Sequence, residues 1–201
     1  MDLGTALASS WSAGISLYAV AAVLGITGRL GWIEAPPFLE QPWVIAVAVA
    51  LAVVDFVVDK IAVVDSVWDA VHLVIRPIGG ALITASAPGQ EIPLPLALGF
   101  GAVMALSSHS AKSSARLLVN ASPEPVSNIV VSSVEDGIVG IVMALAIAYP
   151  AVAGVIAVVL AVACSITAVV FFKASRTAWR KIQARRAAKR APPTSPWAGS
   201  P

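Results

Sequence analysis

Charge is scarce in this chain: Asp, Glu, Lys and Arg make up 12% of its 201 residues, about half the share in an average soluble domain. Hydrophobic residues supply 58% and mean hydropathy is +0.87, so too little polar surface exists to cover a water-exposed domain. The same numbers exclude intrinsic disorder. The single cysteine, Cys164, can form no intramolecular disulfide and no cysteine zinc cluster, and it lies in an apolar run where a thiol is a small hydrophobe. Walker loops, H-E-x-x-H and G-x-S-x-G are all absent, so no familiar catalytic motif supports an enzyme. What is there is long apolar sequence, which reads as an all-α, polytopic membrane helix bundle.

About 20 apolar residues of helix cross a hydrocarbon core. On that measure the chain divides into about six segments, some of them discontinuous or re-entrant: 11–30, 43–61, 66–86, 94–108, and a run over 129–172 that is too long for one crossing and turns at Tyr149-Pro150. The start, Met1-Asp2, has no basic region before a short core and does not read as a cleaved signal, so 1–10 is a short leading segment before a membrane domain at 11–172. Trp11 and Trp32 flank the first segment where interfacial tryptophans belong. Proline-rich stretches at 34–42 and 122–125 and the turn at 88–91 read as loops, the second within a loop over 120–128. Segment 66–86, broken by Pro77-Ile78-Gly79-Gly80, is the one most open to discontinuity.

The segment 173–190 holds eight Lys or Arg and no acid, which reads as a basic cytoplasmic helix attracted to anionic lipid. Six crossings then place both termini in the cytoplasm of a bacterial inner membrane. The Pro/Ser-rich stretch 191–201 reads as a disordered tail. No nucleic-acid partner is expected.

Charged residues among Val, Ala and Ile each cost several kcal/mol unless they face protein, water or a partner. One cluster comprises Asp55, Asp59, Lys60, Asp65, Asp69, His72 and Arg76. Positions 65, 69, 72 and 76 fall on one narrow helical stripe, and Asp55 and Asp59 share a face one turn apart. A cavity between the two helices could hold these carboxylates with Lys60, His72 and Arg76 as partners. The architectural alternative is a helix entry in which Ser66-x-x-Asp69 forms a capping box. Asp-x3-Asp-x2-His offers ligand types for a divalent cation but no specific signature, so neither metal nor cofactor is expected.

The second cluster sets His109, Lys112 and Arg116 on one face among Ser107, Ser108, Ser110, Ser113 and Ser114. It suits an anion held by cations and hydroxyls, or a helix end with snorkelling cations. The third is Ser132-Ser133-Val134-Glu135-Asp136, where two overlapping capping boxes predict a helix beginning near Ser133, with 129–132 as an unwound approach.

The runs Val58-Asp59-Lys60-Ile61, Asp65-Ser66-Val67-Trp68-Asp69-Ala70-Val71-His72, Arg76-Pro77, His109-Ser110-Ala111-Lys112, Ser122-Pro123-Glu124-Pro125-Val126-Ser127-Asn128 and Ser133-Val134-Glu135-Asp136 together resemble an uncharacterised family of bacterial integral membrane proteins, domain of unknown function 4126. The likeness covers most of 10–172 and implies a membrane location without an activity. Where that family often has proline, this chain has Ala62.

The leading functional expectation is a small transporter or permease-like protein, taking an unknown small solute or ion and forming a homo-oligomer. Asp55, Asp59, Glu135 and Asp136 would be proton or cation partners, and His109, Lys112 and Arg116 inner-side anion contacts. A non-catalytic membrane scaffold is the alternative. A membrane enzyme acting on a lipid phosphate, with His72 or His109 as base, has less support.

Overall fold

A computed structural model describes residues 1–89, 91–119 and 125–190. All regular structure among them is helical: α1 (Leu3–Arg29), α2 (Pro42–Val58), α3 (Ala62–Ala85), α4 (Leu94–Val119), α5 (Pro125–Ala148) and α6 (Pro150–Arg190). Residues 1–168 form one compact unit and 169–201 a second. By length and composition α1, α3, α4, α5 and α6 could each cross a membrane. The apolar α2 is shorter at 17 residues, about 26 Å of helix. The proposed turn at Tyr149-Pro150 separates α5 from α6.

The first segment departs from the sequence expectation. Ser16, at φ −144° and ψ 85°, interrupts the helical backbone of α1. A straight helix of this length would part its ends by about 40 Å, yet the Met1 amino group sits 3.5 Å from Glu34 Oε2, just beyond the other end. Helix α1 therefore folds back at Ser16 into two arms, each about 20 Å long, too short to cross a bilayer of about 30 Å. Both ends lie at one end of the bundle, the mouth, where Met1 also donates to the Pro88 carbonyl (2.9 Å). The tip, Ser16, points into the bundle. Trp11, expected at the interface, is buried in the first arm.

This re-entrant hairpin is the hub: α2, α3, α4 and α5 all pack on it. Small residues make the approaches possible. A Cβ on Gly14 would strike the Ala105 carbonyl and Ser108 Oγ of α4, and one on Gly4 would strike the Pro150 carbonyl of α6. Hydroxyls then bridge the close backbones, as in other membrane bundles: Thr5 donates to the Ala146 carbonyl (2.8 Å), Ser10 to that of Gly80 (2.9 Å), and Ser108 to that of Trp11. Helices α3 and α4 meet at Gly80 and Gly101, where a Cβ on either would hit the other's carbonyl.

The expected breaks elsewhere do not occur. Helix α3 continues through Pro77, and because it begins at Ala62, Ser66 and Asp69 lie inside it rather than at its start, where a capping box would form. Helix α5 runs unbroken from Pro125 past Ser133, whose hydroxyl donates back to the Ile129 carbonyl (2.8 Å) instead of capping. Residues 125–128 of the loop expected over 120–128 are helical instead; its residues 120–124 lie outside the described residues, as does the tail at 191–201. Helix α6 continues without a break through 173–190.

Two measurements check the hairpin. In a Cys164→Ala background, Asp2→Cys and Glu34→Cys are expected to react with a membrane-impermeant maleimide from the same side of sealed vesicles; opposite sidedness would refute the fold-back. Gly101→Ala should lower stability by about 1–3 kcal/mol, read as a reduced unfolding midpoint in detergent.

Candidate functional site

A helix interrupted inside apolar surroundings releases carbonyls that water cannot reach. At the tip of α1 those carbonyls are answered by cations from the other helices. Arg76 Nη1 of α3 donates to the Gly14 carbonyl (3.4 Å), and Lys112 Nζ of α4 to that of Ile15 (3.1 Å). The Ser16 hydroxyl donates to Asp55 Oδ2 (3.2 Å). The tip thus draws a cation from α3, a cation from α4 and a carboxylate from α2.

Around Arg76 most polar atoms are paired, while its own Nε and His109 Nε2 have no hydrogen-bond partner. Its Nη2 donates to Asp55 Oδ1 (3.0 Å), and Nη1 reaches Asp69 Oδ1 (3.2 Å) and His109 Nδ1 (3.1 Å). Asp55 Oδ1 takes a second donor from Trp68 Nε1 (2.6 Å), and Asp69 Oδ2 one from Ser113 (3.2 Å). His72 donates from Nδ1 to the Trp68 carbonyl (2.8 Å), which leaves Nε2 to accept the Tyr18 hydroxyl (2.9 Å). Both His72 nitrogens are engaged, which counts against a free general base there.

A second set surrounds Arg116. Its Nη1 donates to the Asp59 carbonyl (2.6 Å) and Asn128 Oδ1 (2.8 Å), and its Nη2 to Glu135 Oε2 (2.8 Å). Lys112 Nζ donates to Asp59 Oδ2 (2.5 Å). Asp65 is fully buried, and its closest ion-pair contact is Arg116 Nη1 at 3.7 Å. Lys112 and Arg116 are thus engaged by carboxylates, and an anion would have to displace these to reach them.

Ten of the twelve residues singled out in the sequence, all but Lys60 and Asp136, gather in this buried network. Lys60 and Asp136 sit at its margin, 4.0 Å apart and partly exposed, with Lys60 Nζ over the Phe56 ring at 3.1 Å. Sequence reasoning missed Ser16, Tyr18, Trp68 and Asn128, all network members, and the backbone of Gly14 and Ile15, whereas Ser113 stood among the serines of the second cluster. Trp68 and Asn128 stand in the quoted runs as polar-capable neighbours of the clusters; nothing local marks Ser16.

Two clefts flank the network. One of about 480 Å³ follows the second arm of α1 from Trp32 and Ile147 near the mouth to Ser16 and Asp136 at the tip, with Phe56 on its wall. The other, about 220 Å³, lies between α3 and α4 and is lined by Asp69, His109, Ser113 and Arg116.

Removing one partner of a buried pair leaves a stranded charge, which costs about 3–5 kcal/mol, whereas exposed pairs contribute about 0–1 kcal/mol. Arg76→Ala should therefore lower the detergent unfolding midpoint far more than Lys60→Ala; equal effects would contradict the assignment of Arg76 to the centre.

The family model for DUF4126, a domain of unknown function, matches residues 3–169. No curated protein and no solved structure matches the chain. Most of the membrane-type bundle, with the whole of the charged network at the tip of α1, falls inside the matched range, and the chain belongs to the DUF4126 family.

Proposed function

We propose that this protein is a small permease of a bacterial inner membrane, with the tip of the α1 hairpin as the barrier between two access routes. The observation that carries the reading is the break at Ser16, which sets backbone carbonyls held by Arg76 and Lys112, with their paired carboxylates, at the inner end of a re-entrant hairpin. Interrupted helices with exposed backbone at depth belong to sites that line a cavity, and secondary transporters build solute and ion sites this way. The two clefts approach the same polar layer from different faces. Rearrangement of the tip would open one cleft to that layer as it closes the other.

The orientation follows from charge and the hairpin. With α1 re-entrant, helices α2 to α6 make five crossings rather than the six expected. The mouth carries Asp2, Glu34, Glu40 and Glu91 beside the lone Arg29, and the basic 173–190 segment favours the cytoplasm. Met1 then faces outward, the reverse of the expectation from six crossings. Anionic lipid would hold the basic segment, and a second copy could cover the exposed apolar faces of the bundle. The solute is a small molecule or ion whose charge is balanced by the network.

The scaffold reading draws support from the mutual pairing around Arg76. A flux assay separates the two. Vesicles reconstituted with the full chain and filled with a pH-sensitive dye are exposed to a pool of small metabolites. Wild type should produce a proton flux, and Asp136→Asn and Ser16→Ala should abolish it at unchanged membrane abundance. Loss of abundance in step with flux would favour the scaffold.

A further inference from the structure

The network holds two more carboxylates than cations, and one of those carboxylates is left without a hydrogen-bond donor. Five carboxylates, Asp55, Asp59, Asp65, Asp69 and Glu135, share the interior with three cations, Arg76, Lys112 and Arg116. Asp55 and Asp69 receive hydrogen bonds from Arg76 and from neutral donors, Asp59 from Lys112 and Glu135 from Arg116. Asp65 receives none: both its oxygens are buried and without a hydrogen-bond partner. Arg116 does not make up the deficit: its Nη1 is committed to the Asp59 carbonyl and Asn128, and its Nε–H, which has no partner, makes no hydrogen bond to Asp65.

A bare carboxylate without donors in a low-dielectric interior is among the costliest arrangements a protein can hold. A proton removes the charge with the smallest change in volume. A metal ion at the same point would face the guanidinium of Arg116 3.7 Å away, a repulsion that a neutral carboxyl does not meet. Two further orphaned atoms border Arg116: Asp59 Oδ1 lacks a donor, and Asn128 Nδ2, on a buried residue, lacks an acceptor. A carboxylic acid offers both an O–H and a carbonyl oxygen where a carboxylate offers only acceptors.

We propose that Asp65 is a proton-binding site, which holds a proton at neutral pH while Arg116 stays paired with Asp59 and Glu135. The charged groups that act on it are Asp59 just after α2, Lys112 and Arg116 from α4, and Asp69 on its own helix, while Asn128 and Glu135 of α5 are linked to it through Arg116. Loss of the proton makes Asp65 a competitor for Arg116, at the expense of the bonds that Arg116 makes to Glu135 and Asn128. Proton exchange would in this way pull α3 and α5 toward alternative partners of one α4 cation. As the coupling ion of a permease the proton rests on the reading above; as an occupant of Asp65 it does not.

Infrared spectroscopy of the full chain in vesicles of phosphatidylethanolamine and phosphatidylglycerol reads the site without any transport. A protonated-carboxyl C=O band should be present at neutral pH in both sodium and choline chloride, titrate away in alkaline buffer, shift in Asp65→Glu and vanish in Asp65→Asn. The Asn variant should keep the wild-type unfolding midpoint, since it replaces one neutral group with another. The proposal is overturned by absence of the band, by its persistence in Asp65→Asn, by its appearance only when sodium is left out, or by a large drop in midpoint for that variant. A correct band with no solute-driven flux would leave the site standing and remove the permease.

Discussion

Unsatisfied carbonyl oxygens inside an apolar bundle are the constraint around which this molecule is arranged. Breaking α1 at Ser16 releases them from Gly14 and Ile15, both buried, where an unpaired carbonyl is costly. Only strong donors can answer, and the donors supplied are the charged ends of Arg76 and Lys112. Those cations in turn require carboxylates, which come from Asp55, Asp69 and Asp59. The charged layer and the re-entrant hairpin are thus two halves of one arrangement. Without the tip, the cations lose backbone acceptors; without the cations, the tip has no reason to stay bent.

That mutual dependence also bears on what the charges contribute. Buried ion pairs seldom add net stability over a well-packed apolar core, since desolvation cancels much of the attraction. Their effect here is on register. Arg76 touches Asp55, Asp69, His109 and Gly14 at once, so a shift of α3 by one turn would strand several groups together. The glycine contacts Gly14 with Ala105, and Gly80 with Gly101, impose the same register sterically.

The sequence disclosed the contents of the site better than its frame. The stripe of Asp65, Asp69, His72 and Arg76 was legible because helical periodicity puts those positions on one face whatever packs against them. His109, Lys112 and Arg116 were legible for the same reason. The turn at Tyr149-Pro150 followed from a span that was too long and a proline. The hairpin was not legible. Ser16 is an ordinary residue in an apolar run, and its partners are far away in the chain: Lys112 lies 97 positions beyond Ile15. The capping motifs misled because Ser-x-x-Asp/Glu also occurs inside helices, where Ser133 bonds back to Ile129. Discontinuity was rightly expected of some segment and assigned to the wrong ones, since Pro77 is tolerated within α3 while an unremarkable serine bends α1.

The order of synthesis turns the hairpin into a problem of assembly. Residues 3–29 emerge before the side chains that hold Ser16 at depth, which belong to α2, α3 and α4. Until those arrive, the released carbonyls have no donors, and the nascent segment must either rest at the membrane surface or insert provisionally as one unbroken rod. The mature bend is therefore completed well after α1 itself is made, and α4 is the element whose arrival supplies the last of its donors.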